Sequence, residues 1–120
     1  MLIWAMSKSP RLGERAQAAV ASPDNQVLVS VVSAWEIAIK HALGRLVFPV
    51  DRFEDMAQQM GFDTLPILVR HAIAAGRLPR HHDDPFDRML IAQALTEGLT
   101  LVSIDRAVAR YDVPLLGASD

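Results

Sequence analysis

Short runs dense in β-branched and aliphatic residues alternate along this chain with longer segments of helical periodicity, and that alternation admits few architectures. Residues 26–32 (QVLVSVV) and 99–103 (LTLVS) are almost continuously apolar, as strands buried on both faces are. Residues 62–67 (FDTLPI) form a weaker strand that Pro66 directs to an edge, and residues 113–116 (VPLL) a last short one. Between them lie a helix opened by Pro10 with Ser9 as N-cap, helices over 33–43 and 51–60 closed by Gly44 and Gly61, a short helix over 69–75 before Gly76, a strongly amphipathic helix over 84–97 closed by Gly98, and a helical turn over 105–110. Strands interleaved with helices predict βαβ units with right-handed crossovers, hence an α/β fold with a mainly parallel sheet between helical layers. The chain's 120 residues suit one domain, residues 1–120.

Composition removes several kinds of chemistry. Cysteine is absent, which excludes disulfides, thiolate metal sites and thiol nucleophiles. With 51% apolar and 22% charged residues the chain has the makings of a core, unlike a disordered segment. A net charge of −2 argues against broad non-specific nucleic-acid binding, though not against a local basic patch. No run approaches the ~20 apolar residues of a membrane span. The apolar start, Met1 to Met6, lacks the flanks of a signal peptide, so a soluble cytoplasmic protein is expected. An α-amino charge set directly on an apolar segment, with no cap or turn, is what a chain beginning partway into its fold would show.

In open α/β sheets ligands bind at the carboxyl ends of the strands. Three acids fall there: Glu36 after strand 26–32, Asp87 in the first turn of helix 84–97, and Asp105 just past strand 99–103. Asp87 continues the stripe Leu90, Ile91, Ala94 and Leu95, so its carboxylate is aimed at the sheet and needs compensation. Structural duties also fit. Asp84-Pro85-Phe86-Asp87 reads as N-cap, Pro at the first helical position and an acid favoured by the helix dipole; Ser33-Ala34-Trp35-Glu36 reads as a capping box, with Lys40 one turn beyond Glu36. If the acids converge, oxygen donors without Cys and without a His pair at ligand spacing suit Mg²⁺ or Mn²⁺ rather than zinc. Such an ion activates water and neutralises phosphoryl oxygens, which is nuclease chemistry.

Three segments carry a family likeness. SVVSAWEIAIKHALGRL (30–46), HHDDPFDRMLIAQAL (81–95) and LTLVSIDRAVARYDVPLL (99–116) resemble the PIN domain, most closely the toxin ribonucleases of VapC type. The resemblance implies a three-layer α/β/α fold and a Mg²⁺- or Mn²⁺-dependent endoribonuclease. It also implies a homodimer and a cognate antitoxin protein that neutralises it. The family's metal-site acids map onto Glu36, Asp87 and Asp105, with Ser103 and Asp84 in supporting positions. The family opens on a strand ending in an Asp-Thr-His-like segment whose Asp is a principal ligand. Here Met1-Leu2-Ile3-Trp4 stands where the chain follows that segment, and no acid precedes Glu14. The first, central strand and one ligand are therefore expected to be missing.

Other residues are read more plainly. His81 and His82 belong to a polar loop; with Arg45, Arg77, Arg80 and Arg88 they would line an RNA groove or simply meet solvent. Trp4 and Trp35 are expected in the core or an interface rather than as base-stacking platforms, and Met56 and Met60 on an apolar helix face that packs internally or receives a partner helix. His41 and His71 give no signal. Two functions stay open: a metal-dependent endoribonuclease, and a catalytically impaired binding module that keeps the dimer or antitoxin surface. An unrelated receiver-like domain with an acidic pocket is disfavoured by the three segments.

Overall fold

A computed structural model of the chain describes residues 2–4, 14–81, 83–103, 108 and 110–117. Five strands, β1 (Leu2–Trp4), β2 (Val27–Ser30), β3 (Asp63–Leu65), β4 (Thr100–Ser103) and β5 (Leu115–Gly117), form one sheet of order β3-β2-β1-β4-β5. Every neighbouring pair is parallel. The helices are α1 (Glu14–Ala21), α2 (Val31–Ala42), α3 (Phe53–Gln59, entered through a 3₁₀ turn at Val50–Arg52), α4 (Val69–Arg77) and α5 (Pro85–Glu97).

The expected gap at the centre of the sheet is corrected. Leu2–Trp4 occupies the middle, with Leu2, Ile3 and Trp4 in register with Val27, Leu28 and Val29 on one side and Thr100, Leu101 and Val102 on the other. Backbone groups of β2 and β4 thereby find partners they would otherwise lack, and an unpaired buried amide or carbonyl is costly. Ile3 is fully buried.

Alternation along the strands builds the two faces. Val27, Val29 and Val102 pack with Ala16, Ile37, Phe53, Ala57 and Phe62. Ile3, Leu28 and Leu101 pack with Leu90, Ile91 and Ala94 of α5, and with Val108 and Tyr111. Helices thus cover both sides of a parallel sheet, as the three-layer α/β/α expectation requires.

Residues 26–32 divide differently from the expectation. β2 ends at Ser30, whose Oγ accepts the Val32 N–H at 3.0 Å and caps a helix that starts at Val31. Ser33 is therefore not the cap, and Glu36 sits in the second turn of α2 rather than in its first. Gly44, with φ +72°, closes this helix, and Gly98, with φ +67°, closes α5; both conformations favour glycine. Gly76 lies within α4 instead of ending it. Leu95 is 44% exposed, which corrects its place in the apolar stripe. The buried surface of α5 instead takes in Ala92 and Gln93, because α5 meets α4, α2 and β4 at once. The Pro10 cap region and most of the 105–110 turn lie outside the described residues.

A buried polar chain ties these layers together. Ser30 Oγ donates to Gln93 Oε1 at 2.5 Å. The Gln93 amide donates to the Pro66 carbonyl at 3.1 Å and meets His71 Nδ1 at 3.3 Å. Since Nδ1 also accepts the Leu68 N–H, the His71 proton sits on Nε2, which donates to Glu97 Oε1 at 2.9 Å. Arg70 reaches the same oxygen at 2.5 Å. The hydrogen bonds from Arg70 and then His71 hold the Glu97 carboxyl below its ordinary 4.5. A lowered carboxyl pKa stabilises the fold fully above that ordinary value and ceases to do so as pH falls through the lowered one. Glu97→Gln should therefore be less stable than the native chain at neutral pH, with the gap closing below about pH 4.5. Urea titrations at neutral and acid pH measure it, and a gap constant throughout would exclude the ionised contacts as its source.

Candidate functional site

Because all strands run the same way, their carboxyl ends share one edge. α2 leaves that edge directly from Ser30. α5 runs into β4 through Gly98 and Leu99, so its C-terminus lies at the opposite edge. Its thirteen residues, at ~1.5 Å rise each, carry its N-terminus back to the carboxyl edge.

Asp84 sets that N-terminus. Its carboxylate accepts the N–H groups of Phe86 at 2.9 Å and Asp87 at 3.3 Å, with Pro85 opening the helix. This is the expected capping role, and it fixes Asp87 in the first turn, where the helix dipole favours an anion. Asp87 is 1% exposed and Glu36 is 2% exposed. Glu36 Oε2 pairs with Lys40 Nζ at 3.1 Å, one turn along α2. The helices bearing the two acids are in contact. Trp35 and Phe86, the residues just before them, meet edge to face with ring centroids 5.0 Å apart and planes at 73°.

The remaining expected residues distribute unevenly. Asp105 lies outside the described residues. Ser103 ends β4 at the same edge. Arg80 is exposed beside a recess of about 460 Å³ lined also by Ala75, Gly76, Asp83, Pro85 and Arg88. Arg88 turns inward: its guanidinium donates to the carbonyls of Ala75 (2.8 Å), Leu78 (3.2 Å) and Pro79 (3.0 Å) and to the Tyr111 hydroxyl (3.1 Å). It thereby ties the last turn of α4 and the loop after it to the first turn of α5. Arg45 is exposed just past α2.

Two features were not legible as site components. Trp35 is 54% exposed rather than buried in the core. His71, which gave no signal, is fully buried in the polar chain; its side-chain partners Gln93 and Glu97 lie far from it in sequence, and no local pattern announces them.

The donors fit a hard divalent cation in kind. Two carboxylates are withdrawn from water on touching helices, and a buried carboxylate needs compensation; Lys40 supplies a counter-charge to Glu36. Oxygen ligands of this type suit Mg²⁺ or Mn²⁺. Among the described residues, no group of three or more His, Asp or Glu side chains is placed to hold a metal ion. No helix among them is long and apolar enough to cross a membrane.

A family model described as PIN domain matches residues 1–114. A comparison with curated proteins gives no match.

Proposed function

Since the chain belongs to the PIN domain family, we propose that it is a divalent-metal-dependent endoribonuclease of toxin type, neutralised by a cognate antitoxin protein. The observation that carries this reading is the burial of Glu36 and Asp87 on contacting helices at the carboxyl edge of the sheet. Mg²⁺ or Mn²⁺, when bound, supplies water activation and charge neutralisation at a phosphodiester.

The chain's own residues do the rest. Glu36, Asp87 and Asp105 would hold the ion. Lys40 orients the Glu36 carboxylate. Asp84 fixes the first turn of α5 and so the position of Asp87, while Ser103 supports the site from the end of β4. Arg80 and Arg45 offer guanidinium groups to RNA phosphates, and Arg88 walls the recess beside Arg80. The working form is a cytoplasmic homodimer.

Cleavage of a tRNA-like RNA in Mg²⁺, repeated with EDTA, tests the reading. Cleavage should be lost with EDTA and return with excess Mg²⁺; equal cleavage in both would overturn metal dependence. One observation favours a second reading, the impaired binding module. The central strand Leu2–Trp4 brings no carboxylate to the edge, and cation affinity falls with ligand charge and number. A chain that captures its antitoxin in a pull-down yet cuts no RNA would establish that module.

A further inference from the structure

We propose that Trp35 is the stacking platform for an unpaired base of the RNA strand, next to the phosphate presented to Glu36 and Asp87; the proposal rests on the nuclease reading. Tryptophan is a residue that folded chains bury on average, yet Trp35 is 54% exposed. It is not loose. Phe86 holds its ring edge to face at 5.0 Å, which fixes the ring while the residue stays open to a ligand. Val31, one turn earlier on the same side of α2, is also exposed, at 37%, so the apolar strip begins where β2 ends.

Placement selects the occupant. Trp35 directly precedes Glu36 on α2, and Phe86 directly precedes Asp87 on α5. The aromatic pair therefore ties together the two helix turns that carry the buried acids, and a strand delivering a phosphate to that edge of the sheet would pass beside it. Stacking on an aromatic face accepts any base, and single-stranded RNA can splay a base out to meet it. The ring touches the substrate's base and leaves the reacting phosphate to the acids. Its removal should therefore show in KM and hardly in kcat.

The experiment uses the full chain and a short fluorescein-labelled single-stranded RNA, alongside the same RNA with abasic sugars. Trp35→Ala should raise KM about 5- to 100-fold, the range of one lost stacking contact, with kcat within about threefold. Trp35→Phe should recover most of the loss. The native chain should lose a similar factor on abasic RNA, a comparison that holds even if Trp35→Ala folds poorly. On abasic RNA, native chain and Trp35→Ala should converge, as coupled partners do. An unchanged KM in Trp35→Ala, while the native chain cleaves RNA, would overturn the platform and leave the nuclease standing. So would an unchanged KM accompanied by a shift in oligomeric state on light scattering, which would assign Trp35 to contact between copies. A native chain that neither binds nor cuts RNA would remove the nuclease reading and this proposal together.

Discussion

Asp87→Asn should cost RNA cleavage at least ~100-fold while the chain remains folded. Loss of an outer partner around a metal typically costs about 10–100-fold, and a residue that holds the ion itself should exceed that range. The substitution keeps size and shape, so the packing of α5 against the sheet survives. The cap is also kept, because Asp84 binds the backbone N–H of residue 87 and not its side chain. What disappears is the negative charge in the first helical turn, worth ~0.3–1 kcal/mol to the helix. Initial rates in Mg²⁺ and a circular dichroism melt, measured on the same preparation, separate chemistry from folding. Cleavage within twofold of the native chain would remove Asp87 from the site.

Gln93→Leu should be the most damaging single change in the buried polar chain. Gln93 is fully buried and joins Ser30 of the β2 end, the Pro66 carbonyl after β3 and His71 of α4. An apolar side chain of similar size fills the space but satisfies none of them. Each buried polar group left without its partner costs ~1–3 kcal/mol. Ser30 still accepts from Val32, which limits its share, so a loss of ~2–5 kcal/mol is expected. Against a total of ~5–15 kcal/mol for a domain, that fraction is large. Urea unfolding gives the difference directly. A loss below about 0.5 kcal/mol would show that the chain of hydrogen bonds adds little.

What the residues announced in advance was whatever local chemistry decides. Asp84-Pro85 marks a helix start because a carboxylate and a fixed φ act within three residues. Gly44 and Gly98 mark helix ends because a positive φ suits glycine. The parallel sheet followed from runs too apolar to have a wet face. The Lys40–Glu36 pair followed from helical spacing. The boundary at Ser30 was not visible, since VLVSVV has no period to tell strand from helix. Nor was β1, whose three residues become a strand only because β2 and β4 leave a slot between them. The exposure of Trp35 and the links among Ser30, Gln93 and His71 depend on residues brought together from separate elements, and spacing along the chain carries no trace of them. In the site, the places of Glu36 and Asp87 at the sheet edge were legible from topology; their burial and the aromatic pair beside them needed the packing of α2 on α5.

The pairing of Leu2 with Thr100 has a bearing on the order in which the sheet closes. Its innermost ribbon takes one flank from nearby along the polymer, at Val27, and the other from far along it. Until the remote flank docks, three apolar residues lie against a half-built sheet, open to capture by chaperones or by another chain. Contacts this remote slow folding, so the seam between β1 and β4 is the step that completes the scaffold.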